Sequence, residues 1–420
     1  MATWRNWSGS VVASPARLAT PVTETELVAL VAGAQQVRVA GAGHSFMPLC
    51  ETDGLLISLA NMEGRAEIAP DRRTVRAPAG MSIRHLTAAL WEAGLSLANQ
   101  GDIDKQAVGG ALATATHGTG RTLGCLSTFA VGYRLILADG TAVECDAMHD
   151  PDLFEAQRVS LGMLGVTTQV KLGVVPAFFL QERVSRAPLD EILSQWEALA
   201  DHHRHVEFFV LPYTDEIMLK VLALTDRGDD PPPSEHAGIF QAVCDLARLA
   251  PGLAPSLQRL MARSIGGSLR VAPAWRIFPS ERITRFEEME YEIPAAAGPG
   301  ALRSAIALIR RRRAPIVFPL EFRTVAADDL WLSPMNGREC VSISLHQYAK
   351  MAWREIFAEV EVVFRAAGGR PHWAKRHGLT SSDVLELYPL APRWGEVRRR
   401  VDPTAKFMNA HLRELFAFSL

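Results

Sequence analysis

The chain has few cysteines for its 420 residues: Cys50, Cys125, Cys145, Cys244 and Cys340 are odd in number, widely scattered and form no Cys-x-x-Cys pair. That excludes a disulfide framework and a structural zinc site. No uninterrupted apolar stretch is long enough to span a bilayer, and the opening Met-Ala-Thr-Trp-Arg-Asn-Trp-Ser has no apolar segment of the signal-peptide kind, so a cytoplasmic setting is expected. Net charge is also scarce, at −2 with histidines neutral, which gives no general attraction for nucleic acid. The one dense basic run, Arg310 to Arg313, reads as the last turn of a helix, where cations complement the carbonyl end of the dipole. There is no internal repeat. The order strand, Gly-x-Gly-x-x-Gly, helix of a Rossmann unit is missing too: the turn at Gly41 runs into Phe46-Met47-Pro48, with a proline where a helix should begin.

A chain of this length is expected to form two domains, each able to bury a core. In the first, 1–178, Thr23 and Glu26 make a capping-box pattern before Leu27, Leu30 and Val31 at helical spacing. Ser82 can cap a second helix with Ile83, Leu86 and Leu90 on one face and Gly94 as its stop. Segments 55–58, 74–77 and 166–175 read as strands, and Asp139-Gly140 between 134–137 and 141–144 marks a hairpin. In the second, 179–375, strands over 206–211, 289–293, 315–325 and 340–348 alternate with helices over 301–312 and 353–366, which predicts another sheet. The proline-rich 228–233 reads as an exposed loop, and 376–420 as helical with a break at Asp402-Pro403. The expected fold class is α+β.

Three blocks carry candidate chemistry. In Arg38-Val39-Ala40-Gly41-Ala42-Gly43-His44-Ser45-Phe46 a short strand ends in a glycine turn that lets backbone approach a large anionic ligand and sets a ring nitrogen beside it. A second block, from Gly101-Asp102 through Val108-Gly109-Gly110 and Thr114 to His117-Gly118-Thr119-Gly120, is built of small residues where a core element would carry bulk. The third is Arg370-Pro371-His372-Trp373-Ala374-Lys375. In this order, over residues 4–409, the blocks resemble the vanillyl-alcohol-oxidase type of FAD-linked oxidoreductase, and within it the sugar-1,4-lactone oxidase and alditol oxidase branch.

The resemblance implies FAD lying across the first domain, a substrate domain built on an antiparallel sheet flanked by helices, and a carboxy-terminal segment, 376–420, returning to the FAD domain. It implies a covalent bond from His44 to the flavin 8α-methyl carbon, which raises the flavin potential and prevents cofactor loss. Gly41, Ala42, Gly43, Ser45 and Phe46 would wrap the pyrophosphate. Arg38, Val108, Gly109, Gly110, Thr114, His117, Gly118, Thr119, Gly120 and Val166 would contact the rest of the cofactor. Gly101 and Asp102 would lie over the reactive edge of the flavin, where a glycine leaves space for dioxygen. Alditol oxidases tend to carry serine where Asp102 stands.

Glu321-Phe322-Arg323 in a strand puts carboxylate and guanidinium on one face, as a plain salt bridge or as a clamp for a run of hydroxyls. The resemblance favours the clamp. Ser342, Ser344, His346 and Tyr348 likewise share a polar strand face, and the Leu-His-Gln-Tyr version here resembles that of the bacterial aldonolactone oxidase and dehydrogenase group, which implies a lactone substrate. Lys375 reads from spacing as either a solvated loop lysine or a cation beside the flavin, and the motif implies the latter. His372 and His377 have no carboxylate or thiol at ligand spacing, so no metal site is expected. The implied reaction is FAD-dependent oxidation of an aldono-1,4-lactone (gulono-, galactono- or arabinono-lactone), with dioxygen giving hydrogen peroxide and His346 or Lys375 taking the hydroxyl proton. Alternatives are oxidation of an alditol, xylitol or sorbitol, and a lactone dehydrogenase with another electron acceptor.

Overall fold

The structure is a computed structural model that describes residues 3–226, 237–264 and 266–420. The proline-rich 228–233 segment lies outside the described residues. In the amino-terminal half, a parallel three-stranded sheet (Arg17–Ala19, Leu55–Ile57, Val37–Val39) stands beside an antiparallel five-stranded one, ordered Ala142–Cys145, Ala130–Ile136, Val166–Gly173, Thr74–Pro78, Glu67–Ile68. Its first helices, Glu24–Gly33 and Ile83–Glu92, are capped by the Thr23 and Ser82 side chains as their sequences predict. Gly140, at φ +89°, turns the hairpin between Ala130–Ile136 and Ala142–Cys145.

The later half is dominated by one antiparallel sheet of eight strands: Ser268–Pro273, Phe179–Pro188, Glu216–Thr225, His205–Val210, Leu320–Val325, Cys340–Tyr348, Phe286–Pro294 and Arg370–Pro371. One face is apolar. Phe208, Phe322, Ile343, Leu345, Met289 and Tyr291 pack there against helices Gly298–Arg312 and Arg354–Ala366 and the helical pair Leu189–Ser194 and Trp196–His202. The other face is polar and turns toward the amino-terminal half. The strand expected over 315–325 begins only at Leu320, because Pro315 and Pro319 have no N–H to give a ladder. Arg310, Arg311 and Arg312 do end their helix, and Arg310 donates to the Pro212 and Thr214 carbonyls that lie past its last turn.

Beyond Gly378 the chain crosses back. Val384, Tyr388, Trp394, Val397, Leu412 and Phe416 join the same core as Leu153, Phe154 and Leu164. The break at Asp402-Pro403 is used, since the Asp402 carboxylate accepts from the Lys406 and Phe407 amides at 2.8 and 2.9 Å. Among the described residues no helix is long and apolar enough to cross a membrane.

Candidate active site

A trough of about 440 Å³ runs through the amino-terminal half. Gly41, Ala42, Gly43, His44 and Ser45 form one wall, and Gly109, Gly110 and Thr114 another. The glycines have distinct reasons. A Cβ on Gly41 would stand 2.9 Å from the Ala107 Cβ, and one on Gly109 3.0 Å from the Ala79 Cβ, so both let backbones close on each other. A Cβ on Gly110 would meet nothing within 4 Å, because it points into open space where Gly110 lines the trough. A cavity of this size, with glycine backbone exposed on two of its walls, suits a nucleotide cofactor. Gly110→Leu is therefore expected to leave a folded protein whose flavin content falls roughly tenfold or more, read from the visible absorption against an unchanged far-UV circular dichroism spectrum.

The sequence pattern did not disclose the third wall, made of Gly80, Met81 and Ser82 with Ser160, Leu161, Gly162 and Thr167. Arg38 is part of the trough's lining. Its guanidinium donates to the carbonyls of Leu49, Gly162, Leu161 and Phe407, so it braces the trough, and burial lowers its pKa to about 10. Val108 and Val166 are packed into apolar cores, and neither side chain faces the trough.

The trough meets a second, polar pocket of about 80 Å³, and His44, Gln106 and Ala374 line both. His44 stacks on Trp7 with ring centroids 5.5 Å apart. Burial, and then the charges of Lys375 and Lys105, bring its pKa down to about 4, which leaves the ring neutral near pH 7. Phe46 faces this pocket rather than the trough, and its N–H donates to the Ala374 carbonyl at 2.7 Å. Lys375 lies over the Phe46 ring, 5.4 Å from its centroid.

The polar face of the large sheet closes the pocket. Register sets its side chains in cross-strand rows: Glu290, Ser344 and Glu321 in one, Glu292, Ser342, Arg323, Glu207 and Lys220 in the next. Arg323 donates to Glu290 at 2.8 Å and lies 3.2 Å from Glu321. The Ser342 hydroxyl donates to Glu290 at 2.6 Å, while Ser344 is fully buried between its neighbours. Lys375 pairs with Glu288 and, at 3.6 Å, with Glu290, and His346 Nε2 stands 3.3 Å from Glu288. Burial alone would raise the Glu288 carboxyl, but the Lys375 ammonium and His346 hold it down at about 2. For Lys375 burial pulls downward, yet Glu288 and Glu290 hold it above the ordinary lysine range. Glu321 behaves in the opposite way: burial raises it to about 8, with Arg323 only partly opposing.

The end of the second block, from His117 to Gly120, faces the large sheet instead of the trough. His117 Nε2 lies 3.0 Å from Glu292 and 3.4 Å from Glu290, and its Nδ1 faces the Gly118 carbonyl at 3.0 Å. Both ring nitrogens face acceptors, and although burial opposes it, Glu292 and Glu290 keep this histidine's pKa raised. Thr119 donates to Glu207 at 2.6 Å, and the Gly120 N–H to the Thr324 carbonyl at 2.9 Å. A Cβ on Gly118 would stand 2.3 Å from the Gln100 carbonyl oxygen. None of these four lines the trough; they dock the amino-terminal half onto the sheet. Gly101 lines the pocket, but a Cβ there would point at the His117 carbonyl oxygen, 2.9 Å away, so the glycine is a packing requirement rather than a vacancy for dioxygen. Asp102 pairs with Arg282 at 3.1 Å.

His117, Glu290 and His372 bring ligand-type atoms within 4.8 Å of one another. Their wiring is that of hydrogen bonds: the Ala374 N–H donates to His372 Nδ1 at 3.1 Å, which places the proton of the neutral ring on Nε2 and leaves no lone pair there for a metal. Burial brings the His372 pKa down to about 3 and keeps that ring neutral.

The sequence signature of an FAD binding domain matches residues 15–146, and that of D-arabinono-1,4-lactone oxidase matches residues 170–415. The chain is 37% identical to the L-gulono-1,4-lactone dehydrogenase of Mycobacterium tuberculosis over 98% of each chain. It belongs to the D-arabinono-1,4-lactone oxidase family. This family member is also 28% identical to the L-gulonolactone oxidase of Bos taurus over 98% of each chain. A cholesterol oxidase from B. sterolicum shares its fold, with a TM-score of 0.84 at 16% identity over 99% of this chain and 96% of that one. It is an FAD-dependent oxidoreductase, and the glycine-walled trough accommodates FAD.

Proposed function

We propose that the enzyme oxidises an aldono-1,4-lactone such as a gulono-, galactono- or arabinono-lactone at the hydroxyl-bearing carbon next to the ring carbonyl. The observation that carries this reading is the polar pocket at the end of the trough, where Arg323, Lys375, Glu321 and His346 converge. FAD bound in the trough supplies a two-electron acceptor for the hydride of that carbon. Fixed donors on Arg323 and Lys375 hold the oxygens of the lactone, so its reacting carbon is presented in one orientation. Lys375 is held charged by Glu288 and Glu290, which favours a role in binding over one as a base. Glu321 has the proton affinity suited to taking the hydroxyl proton near neutral pH. His44 would carry the covalent bond to the flavin. Residues 1–178, 179–375 and 376–420 would act as FAD domain, substrate domain and returning segment.

The carboxylate form of Glu321 is the working base, so the sign follows: kcat/KM rises about tenfold per pH unit below the Glu321 pKa and levels above about pH 8. Glu321→Gln keeps the shape of the side chain and is expected to remove this limb and lower kcat/KM by about 10²–10⁴. An unchanged limb in the variant assigns the proton to another group. Dioxygen is proposed as the final acceptor, giving hydrogen peroxide. Lactone-driven oxygen uptake in an electrode tests this step, and bleaching of the flavin without uptake indicates a dehydrogenase.

A further inference from the structure

Beside the polar pocket lies a second chamber of about 360 Å³ that shares Arg282, Phe286, Glu321 and His346 with it. Its character is different. Phe209, Leu211 and Met218 from the sheet face Phe240 and Met261 from helices Ala237–Leu249 and Ala254–Ser264, with Phe318 between them. Phe209, Met218, Phe240 and Met261 are only half-buried, so among the described residues an apolar surface stands partly uncovered next to the reacting groups. Ile283, 57% exposed, also lines this chamber and brings its apolar lining out to solvent.

We propose that this annex receives an apolar acyl or aromatic substituent on the far end of the substrate, making the preferred substrate an amphipathic one with a hydroxylated reacting head. The inference rests on the reaction proposed above and extends it to specificity. Two features of the site carry it. First, the annex, about 360 Å³ against about 80 Å³ for the polar pocket, opens from it across Arg282, Phe286, Glu321 and His346, so a substituent that leaves the pocket on that side enters the annex. Second, Glu281, Arg282, Thr284, Glu321 and His346 supply the polar part of the lining and the rest is apolar, so a free polyol arm reaching past them sets hydroxyls against phenylalanine and methionine, which opposes binding. An alkyl arm in the same place gains about fourfold in affinity for each methylene removed from water.

The test compares gulono-1,4-lactone with its 6-O-acetyl, butanoyl and hexanoyl esters on the FAD holoenzyme. Expected is a stepwise rise in kcat/KM with acyl length. It is accompanied by tighter equilibrium binding of the 2-deoxy hexanoyl ester, which lacks the reacting hydroxyl, followed through perturbation of the flavin spectrum. Met261→Trp narrows the annex and is expected to lower the ratio of hexanoyl to unsubstituted kcat/KM by roughly tenfold or more. Flat or falling kcat/KM across the wild-type series, with no chain-length dependence of binding, overturns the inference while leaving lactone oxidation standing. Chain-length-dependent binding with no bleaching by any lactone leaves the annex standing and removes the proposed reaction. Displacement of the bound hexanoyl ester by a simple naphthoquinone that is itself reduced in turnover assigns the annex to the electron acceptor and overturns the inference.

Discussion

Arg323→Met is expected to lower kcat/KM by about 10²–10³ and to remove about 3–5 kcal/mol of stability, read by steady-state kinetics and by urea unfolding of the holoenzyme. The guanidinium bridges two carboxylates on different strands, Glu290 at 2.8 Å and Glu321 at 3.2 Å, and all three are buried. Its loss strands Glu290 with the Lys375 and His117 side alone, and a buried carboxylate that loses a partner is penalised by its full desolvation. The same change removes the cation that opposes the rise of Glu321, so the rising limb of the pH profile moves upward, above pH 8. Arg323→Lys restores charge but not the forked geometry, and is expected to recover stability more fully than rate. Equal rates for wild type and the methionine variant would remove Arg323 from the pocket's function.

His44→Ala is expected to release all of the flavin into the supernatant after acid precipitation. The parent keeps a yellow, in-gel fluorescent pellet and an intact mass raised by one FAD. His44 sits where the trough joins the pocket, so a bond from its ring reaches the end of the cofactor that faces substrate. The flat stack on Trp7 fixes the ring, and its low pKa, about 4, keeps a nitrogen lone pair available at neutral pH. Colourless pellets from the parent would remove the covalent bond and leave the trough as a non-covalent site.

The cofactor side of this molecule was largely legible, because a glycine that must admit backbone or ligand leaves a mark in sequence. Gly41, Gly109 and Gly110 are such cases, and the trough contains all three. Gly101 and Gly118 are crowded by a neighbouring segment in the same way, but neither lines the trough, and the glycine pattern alone does not tell the two groups apart. On the substrate side the alternation of Glu321 and Arg323 revealed their shared face. Glu288, Glu290 and Glu292 escaped notice, although they alternate in the same way with Met289, Tyr291 and Ile293. Acidic residues at every second position look like a solvated strand face, and only the pairing with Lys375, His117 and Arg323 from distant segments shows that they are inside. The apolar annex was equally hidden, being assembled from several separate stretches of chain.

The brace formed by Arg38 has a bearing on how the enzyme is made. Its guanidinium reaches Leu49, Leu161, Gly162 and Phe407, and Lys406 next door donates to the Val31 and Ala138 carbonyls at 2.8 and 2.6 Å. During synthesis the glycine turn emerges hundreds of residues before the segment that seals its underside. The cleft therefore gains its underside only when the carboxy-terminal segment has docked, and a chain cut before Lys406 lacks these contacts.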